Sequence, residues 1–122
     1  MRSIPLTFWQ GRDNPEELVL LQGSPAQPYD VTPLTRVVVG LDDDAVVLDS
    51  TNTPAAFQWP VDLTWRDPAT GLDVAVKGLR LKLGLAGIAS KTYGDARLTV
   101  YDAVNWPNGL MWTEALRIKV RA

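Results

Sequence analysis

The sequence contains no histidine and no cysteine. Without thiols there are no disulfides, no thiolate nucleophile and no thiolate zinc site; without imidazole, the commonest general base and metal ligand are gone too. Strong charge of one sign is missing as well. Twelve Lys and Arg against 14 Asp and Glu leave a net charge of −2, so no basic field is expected to hold nucleic acid or an anionic membrane. No run approaches the ~20 apolar residues of a membrane span, and the opening Met1-Arg2-Ser3-Ile4-Pro5 lacks the apolar stretch of a signal peptide. Nine Gly and nine Pro break the chain too often for a long helical pattern to survive. These absences predict a soluble, non-enzymatic domain made in a cytoplasm, with no cofactor, nucleic acid or membrane among its partners.

What is present suits one globular unit. A chain of 122 residues, 46% hydrophobic and 21% charged, can bury its own core and is far from disordered composition; residues 1–122 read as a single domain. The segments between Gly and Pro are short and β-rich. Ser3 to Trp9 reads as a first strand that Pro5 restricts to an edge. Gly11 to Pro15 is a turn, Glu16 to Gln22 a second strand, and Gly23 to Pro28 a loop unable to join a ladder. Thr35 to Leu41 is the strongest strand, and Asp42-Asp43-Asp44 turns it back into Ala45 to Asp49. Phe57-Gln58-Trp59 is a short strand ended by Pro60, and Val61 to Trp65 resumes the alternation before a turn at Asp67 to Gly71.

Period-two alternation is cleanest in three later segments: Leu79-Leu81-Leu83, Ala96-Leu98-Val100 and Leu116-Ile118-Val120, each interleaved with polar residues. Seven to nine short strands at this spacing predict an all-β, immunoglobulin-like antiparallel β-sandwich. Tyr93 reads either as a corner tyrosine whose hydroxyl returns to the backbone, or as a half-buried aromatic with no special partner.

Chemistry-bearing clusters are few. Asp42, Asp43 and Asp44 are a weak cation candidate, since consecutive carboxylates at a hairpin tip splay apart; a solvated tip is the better reading. Asp62, Asp67 and Asp73 are the carboxylates available for glycoside hydrolysis, but each lies in or beside a turn with little concave volume to tune it. Five tryptophans stand out in so short a chain. Trp9, Trp59 and Trp112 fall in strand-like segments and suit the core or a sheet face. Trp106, between Asn105 and Pro107 in what reads as the last loop, is either an exposed hot spot or a plug over the end of the sandwich. Trp106, Trp65, Trp9 and Asn108 are the interface candidates.

The pattern as a whole resembles the N-terminal domain of siphophage upper baseplate proteins. The carriers are Pro5-Leu6-Thr7-Phe8-Trp9 with Gly11-Arg12, the strand entry Asp30-Val31-Thr32, Leu48-Asp49-Ser50 before Phe57-Gln58-Trp59, and Tyr93 followed by Ala96-Arg97-Leu98-Thr99-Val100-Tyr101-Asp102, Gly109-Leu110-Met111-Trp112 and Leu116 to Val120. Ala89-Ser90-Lys91-Thr92-Tyr93 departs from that family's Pro-Ala-Gly-Thr-Tyr corner. The resemblance implies a bacteriophage virion structural protein of the tail or baseplate, present in multiple copies in a symmetric assembly and docking other virion proteins through edge strands and loop aromatics. A capsid decoration protein is the near variant, and a carbohydrate-binding module stacking a host glycan on exposed Trp is the rival.

Overall fold

Apolar residues at every second position commit most of this chain to extended backbone, and the computed structural model, which describes residues 3–23, 25–112 and 115–122, is all-β. The strands in chain order are β1 (Ser3–Trp9), β2 (Glu16–Leu18), β3 (Leu21–Gln22), β4 (Gln27–Pro28), β5 (Arg36–Leu41), β6 (Val46–Asp49), β7 (Phe57–Arg66), β8 (Asp73–Leu81), β9 (Lys91–Asp102), β10 (Trp106–Met111) and β11 (Ala115–Arg121). Single turns of 3-10 helix sit at Pro54–Ala56 and Leu83–Leu85.

The larger sheet runs β1-β11-β9-β5-β6, with β10 continuing the β11 side of β9; the smaller sheet is β2-β8-β7. Both contribute to one apolar core in a sandwich-like arrangement. Leu6, Phe8, Val37, Val39, Leu98, Val100, Ile118 and Val120 enter it from the larger sheet, and Leu18, Phe57, Leu79 and Leu81 from the smaller. Burying a side chain of this size contributes roughly 1.5–3 kcal/mol, so these positions dominate stability.

Four features differ from the expectation. Among the described residues there are eleven strands rather than seven to nine, the surplus being two- and three-residue pairings. Gln27–Pro28 pairs with Leu21–Gln22, so that loop does join a ladder; Pro28 stands on an edge, where its missing N–H costs nothing, and Ser24 lies outside the described residues. The architecture is not wholly antiparallel, because β1 runs parallel to β11. Pro60 does not end a strand: β7 continues through a cis Trp59–Pro60 peptide to Arg66.

Two corners are set by single polar side chains. The Tyr93 hydroxyl donates to the Ala89 carbonyl at 2.6 Å, four residues upstream, with the ring buried in the core; Tyr93 is the corner tyrosine. Asp102, also buried, accepts from the Val104 amide at 2.9 Å and from Asn105 Nδ2 at 3.0 Å, which turns β9 tightly into β10. These bonds to the carboxylate hold Asp102 below the usual carboxylate range. Among the described residues, every buried side-chain nitrogen and oxygen has a hydrogen-bond partner.

Candidate interface: the β7–β8 hairpin and the β11 face

A bulge decides what the β7–β8 hairpin presents. Phe57 pairs with Leu81 and Gln58 with Arg80, but Val61 pairs with Gly78, so β7 spends one residue more than β8 between these rungs. The extra residue shifts the phase of everything beyond it. Alternation along β8 places Gly78, Val76 and Val74 on the face opposite the core residues Leu79 and Leu81. Their partners Val61, Leu63 and Trp65 therefore share that outward face. Val61 is buried without belonging to the core cluster, and the Leu63 side chain lies where a Cβ on Gly78 would stand. Val74 and, at the turn, Leu72 are 40% and 66% exposed.

The hairpin is thus amphipathic with its apolar side turned away from the core. Its other face is polar beyond Leu79: Asp62, Ala75 and Lys77, with Val76, line a groove of about 250 Å³ together with Pro28, Tyr29 and Asp30, and Lys77 pairs with Asp62. The Asp62 bond and charge raise the Lys77 ammonium above its ordinary range. A main-chain bond from Ala69 N to Asp67 Oδ1 at 2.8 Å and the Arg66–Asp73 pair at 3.2 Å fix the turn. Asp62, Asp67 and Asp73, the carboxylates considered for catalysis, are each engaged in this scaffolding.

The other anticipated residues are scattered. Trp9 ends β1 at 41% exposure, with the Arg121 guanidinium 5.6 Å from its ring centre. Trp106 does not lie in a loop: the Asp102 turn is short enough that Trp106 opens β10 opposite Asp102. It is half-buried against the core, its ring 4.8 Å from that of Tyr29. Asn108 is exposed in β10, inside the stretch where the register with β9 slips. Trp59 donates from Nε1 to the Leu34 carbonyl at 2.9 Å and packs on the core; Trp112 is buried in it.

The acidic tip does not converge. Asp42, Asp43 and Asp44 all take left-handed backbone, with φ of 51°, 55° and 66°. Asp42 turns back to bond Lys91 Nζ at 2.6 Å and the Gly94 amide at 2.8 Å, contacts that lower its carboxyl, while the Asp44 side chain folds over Gly40. Among the described residues, no group of three or more acidic side chains is placed to hold a metal ion. Among the described residues, no helix is long and apolar enough to cross a membrane.

Sequence reasoning missed two things. One is the phase inversion of the hairpin, whose only signal is a Pro in mid-strand. The other is that the cations of β11, legible in sequence as alternating, stand beside no carboxylate among the described residues, as set out below. Comparisons with protein-family models, curated proteins and solved structures return no match for this chain.

Proposed function

We propose that the protein is a non-enzymatic structural module of a tailed-phage virion that docks neighbouring subunits, with the tail or baseplate as its address. The observation that carries the docking reading is the inverted hairpin: Leu63, Trp65, Val74 and Val76 form an apolar stripe outside the core of their own sandwich. A Trp surrounded by apolar neighbours at a protein surface is the usual anchor of a protein interface. β7 is also the edge of its sheet, as β1 is of the other, so backbone pairing with a neighbour is open at both. The virion address rests on the family resemblance of the strand and turn motifs, and the immunoglobulin-like assignment on the same resemblance together with the Tyr93 corner. Repetition in a symmetric particle would turn modest single contacts into firm attachment.

Immunogold labelling of purified particles tests the address. Gold at the tail tip supports it, gold over the capsid converts it to decoration, and background labelling of intact and disrupted particles overturns it. Trp65→Ser tests the docking: the isolated variant folds with nearly unchanged melting, yet its incorporation into particles falls. Undiminished incorporation rules out the hairpin as the docking element.

A further inference from the structure

The outer face of the larger sheet carries a charge pattern that the fold does not use. Arg117, Lys119 and Arg121 occupy alternate positions of β11 and are exposed on the same face. Their rung partners on β1 are Pro5, Thr7 and Trp9, and Thr92 of β9 stands beside Lys119. None of these neighbours carries negative charge. Among the described residues, none of the three cations lies within ion-pair distance of a carboxylate, whereas the β7–β8 cations Arg66, Lys77 and Arg80 all do. The nearest acid along the β9 backbone is Asp95, in the bulge between the rungs to Leu116 and Ile118. The cations line one groove of about 380 Å³ with Pro5, Leu6, Thr7 and Thr92.

Three like charges in a row repel one another and, apart from the Arg121 guanidinium over the Trp9 ring, have no attractive partner among the described residues, so their complement is external. Two residues of strand separate successive cations, a repeat of about 6.6–6.8 Å. Alternate side chains of any other extended chain have that same repeat. The groove over β11, between β1 and β9, is two strand spacings wide, about 9.6 Å, enough for one extended chain. We infer that this face binds an extended acidic segment of a partner protein in which carboxylates alternate with small polar residues, Arg117, Lys119 and Arg121 each meeting one carboxylate while the residues between point away from the sheet. Two other occupants fit less well. The acidic tip of a second copy offers consecutive, splayed carboxylates without the two-residue repeat. A nucleic acid meets three cations on a molecule whose net charge is −2. This inference stands independently of the virion reading.

The test is titration of the protein at low ionic strength with a peptide of alternating Glu and Thr, and with a peptide of identical composition in which the Glu and Thr form two blocks. The alternating peptide binds more tightly, its affinity falls with added salt, and Arg117→Glu together with Lys119→Glu weakens it roughly tenfold or more, as reversed charges in a steered contact do. Lys119→Thr, which removes charge without adding any, gives a smaller loss in the same direction and guards against misfolding of the double variant. Lys77→Glu, on the other sheet, leaves binding unchanged. Equal affinity for the two peptides, no binding of either, an unaffected Arg117→Glu/Lys119→Glu variant, or tighter binding of duplex DNA or inorganic phosphate than of the alternating peptide would each overturn the inference. So would salt-sensitive self-association of the free protein that Asp43→Lys abolishes.

Discussion

The two sheets turn opposite kinds of surface outward. On β7–β8 every cation has a carboxylate partner: Lys77 with Asp62, Arg66 with Asp73, and Arg80 with Glu17, held also by Gln58 Oε1. What that hairpin leaves unsatisfied is apolar. On β11 the relation is reversed: the apolar residues Leu116, Ile118 and Val120 are all buried, and the groups with no carboxylate partner among the described residues are three cations. Both segments show the same alternation in sequence. The difference arises because the β7 bulge takes Val61, Leu63 and Trp65 out of the core cluster, Val61 remaining buried and the other two half-buried, while the bulge in the β9–β11 pairing leaves the inward set of β11 intact. Alternation reports that a strand has two unlike faces; it does not report which one meets the core.

The largest effect that would break this comparison is a pair of substitutions on β8. Leu79→Ala, on the core face, is expected to cost about 2–5 kcal/mol. Val74→Ala, five residues away and outside the core, is expected to stay within about 0.5 kcal/mol. Chemical denaturation of the two variants measures this directly, and comparable losses would show that the outward stripe is core after all.

The next effect concerns acid. Asp49 is buried and bonded through both oxygens to Arg36, with Nε distances of 3.0 and 2.9 Å; that contact, ahead of the Thr51 amide, holds its carboxyl below the ordinary value. Asp102 is lowered by the Val104 and Asn105 bonds, and Asp30 by Thr32. A carboxyl lowered in the folded state binds fewer protons there than when unfolded. Its contribution is therefore complete above the unfolded value, about 3.9, and is lost as pH falls through the lower folded values. Melting temperature should be flat for these groups from neutral pH to about 5 and drop steeply below about 4. Asp102→Asn and Arg36→Gln should each flatten part of that drop; an unchanged acid limb in both variants would show that neither contact drives it.

Much of the scaffold was legible before the structure, and for identifiable reasons. β1, β5, the β5–β6 tip and the alternating runs of β9 and β11 follow from local pattern, and the Tyr93 corner from a Tyr preceding an inward run. The polar partners were not legible. Asp102 reaches over its own turn to make β10 begin at Trp106, and nothing in Asn105-Trp106-Pro107 announces a strand. The bulge at Trp59–Pro60 was visible only as a Pro, which local rules treat as a strand end. The face that Trp65 occupies depends on a register that links β7 to β8 across the bulge, a non-local fact that no window of sequence carries. The β11 cations could be seen as alternating, but their isolation depends on β1 lying parallel beside them.

Tyr93→Phe should come next in size. It removes one hydroxyl and leaves the Ala89 carbonyl without that donor at a half-buried corner, for about 0.5–1.5 kcal/mol. Denaturant midpoints of Tyr93→Phe and Tyr101→Phe compare a corner tyrosine with a half-buried one whose ring lies 4.8 Å below the Arg36 guanidinium. Equal losses would remove the special role of the corner.

The smallest effect separates the two faces most cleanly, because it is a difference of sign. Lys119→Thr takes one charge out of a like-charged row and matches the Thr92 and Thr7 beside it, so stability should rise slightly, by no more than about 0.5 kcal/mol. Lys77→Thr takes one charge out of a pair and leaves Asp62 beside a hydroxyl, so stability should fall. Added salt acts in the same two directions: it screens the repulsion along β11 and weakens the attraction between Lys77 and Asp62. The Lys119→Thr gain should therefore shrink as ionic strength rises, and the Lys77→Thr loss should shrink with it. If both substitutions destabilise and neither responds to salt, the cations of β11 act through their aliphatic stems against Trp9 and the strand, and the row is packing rather than an unmatched charge.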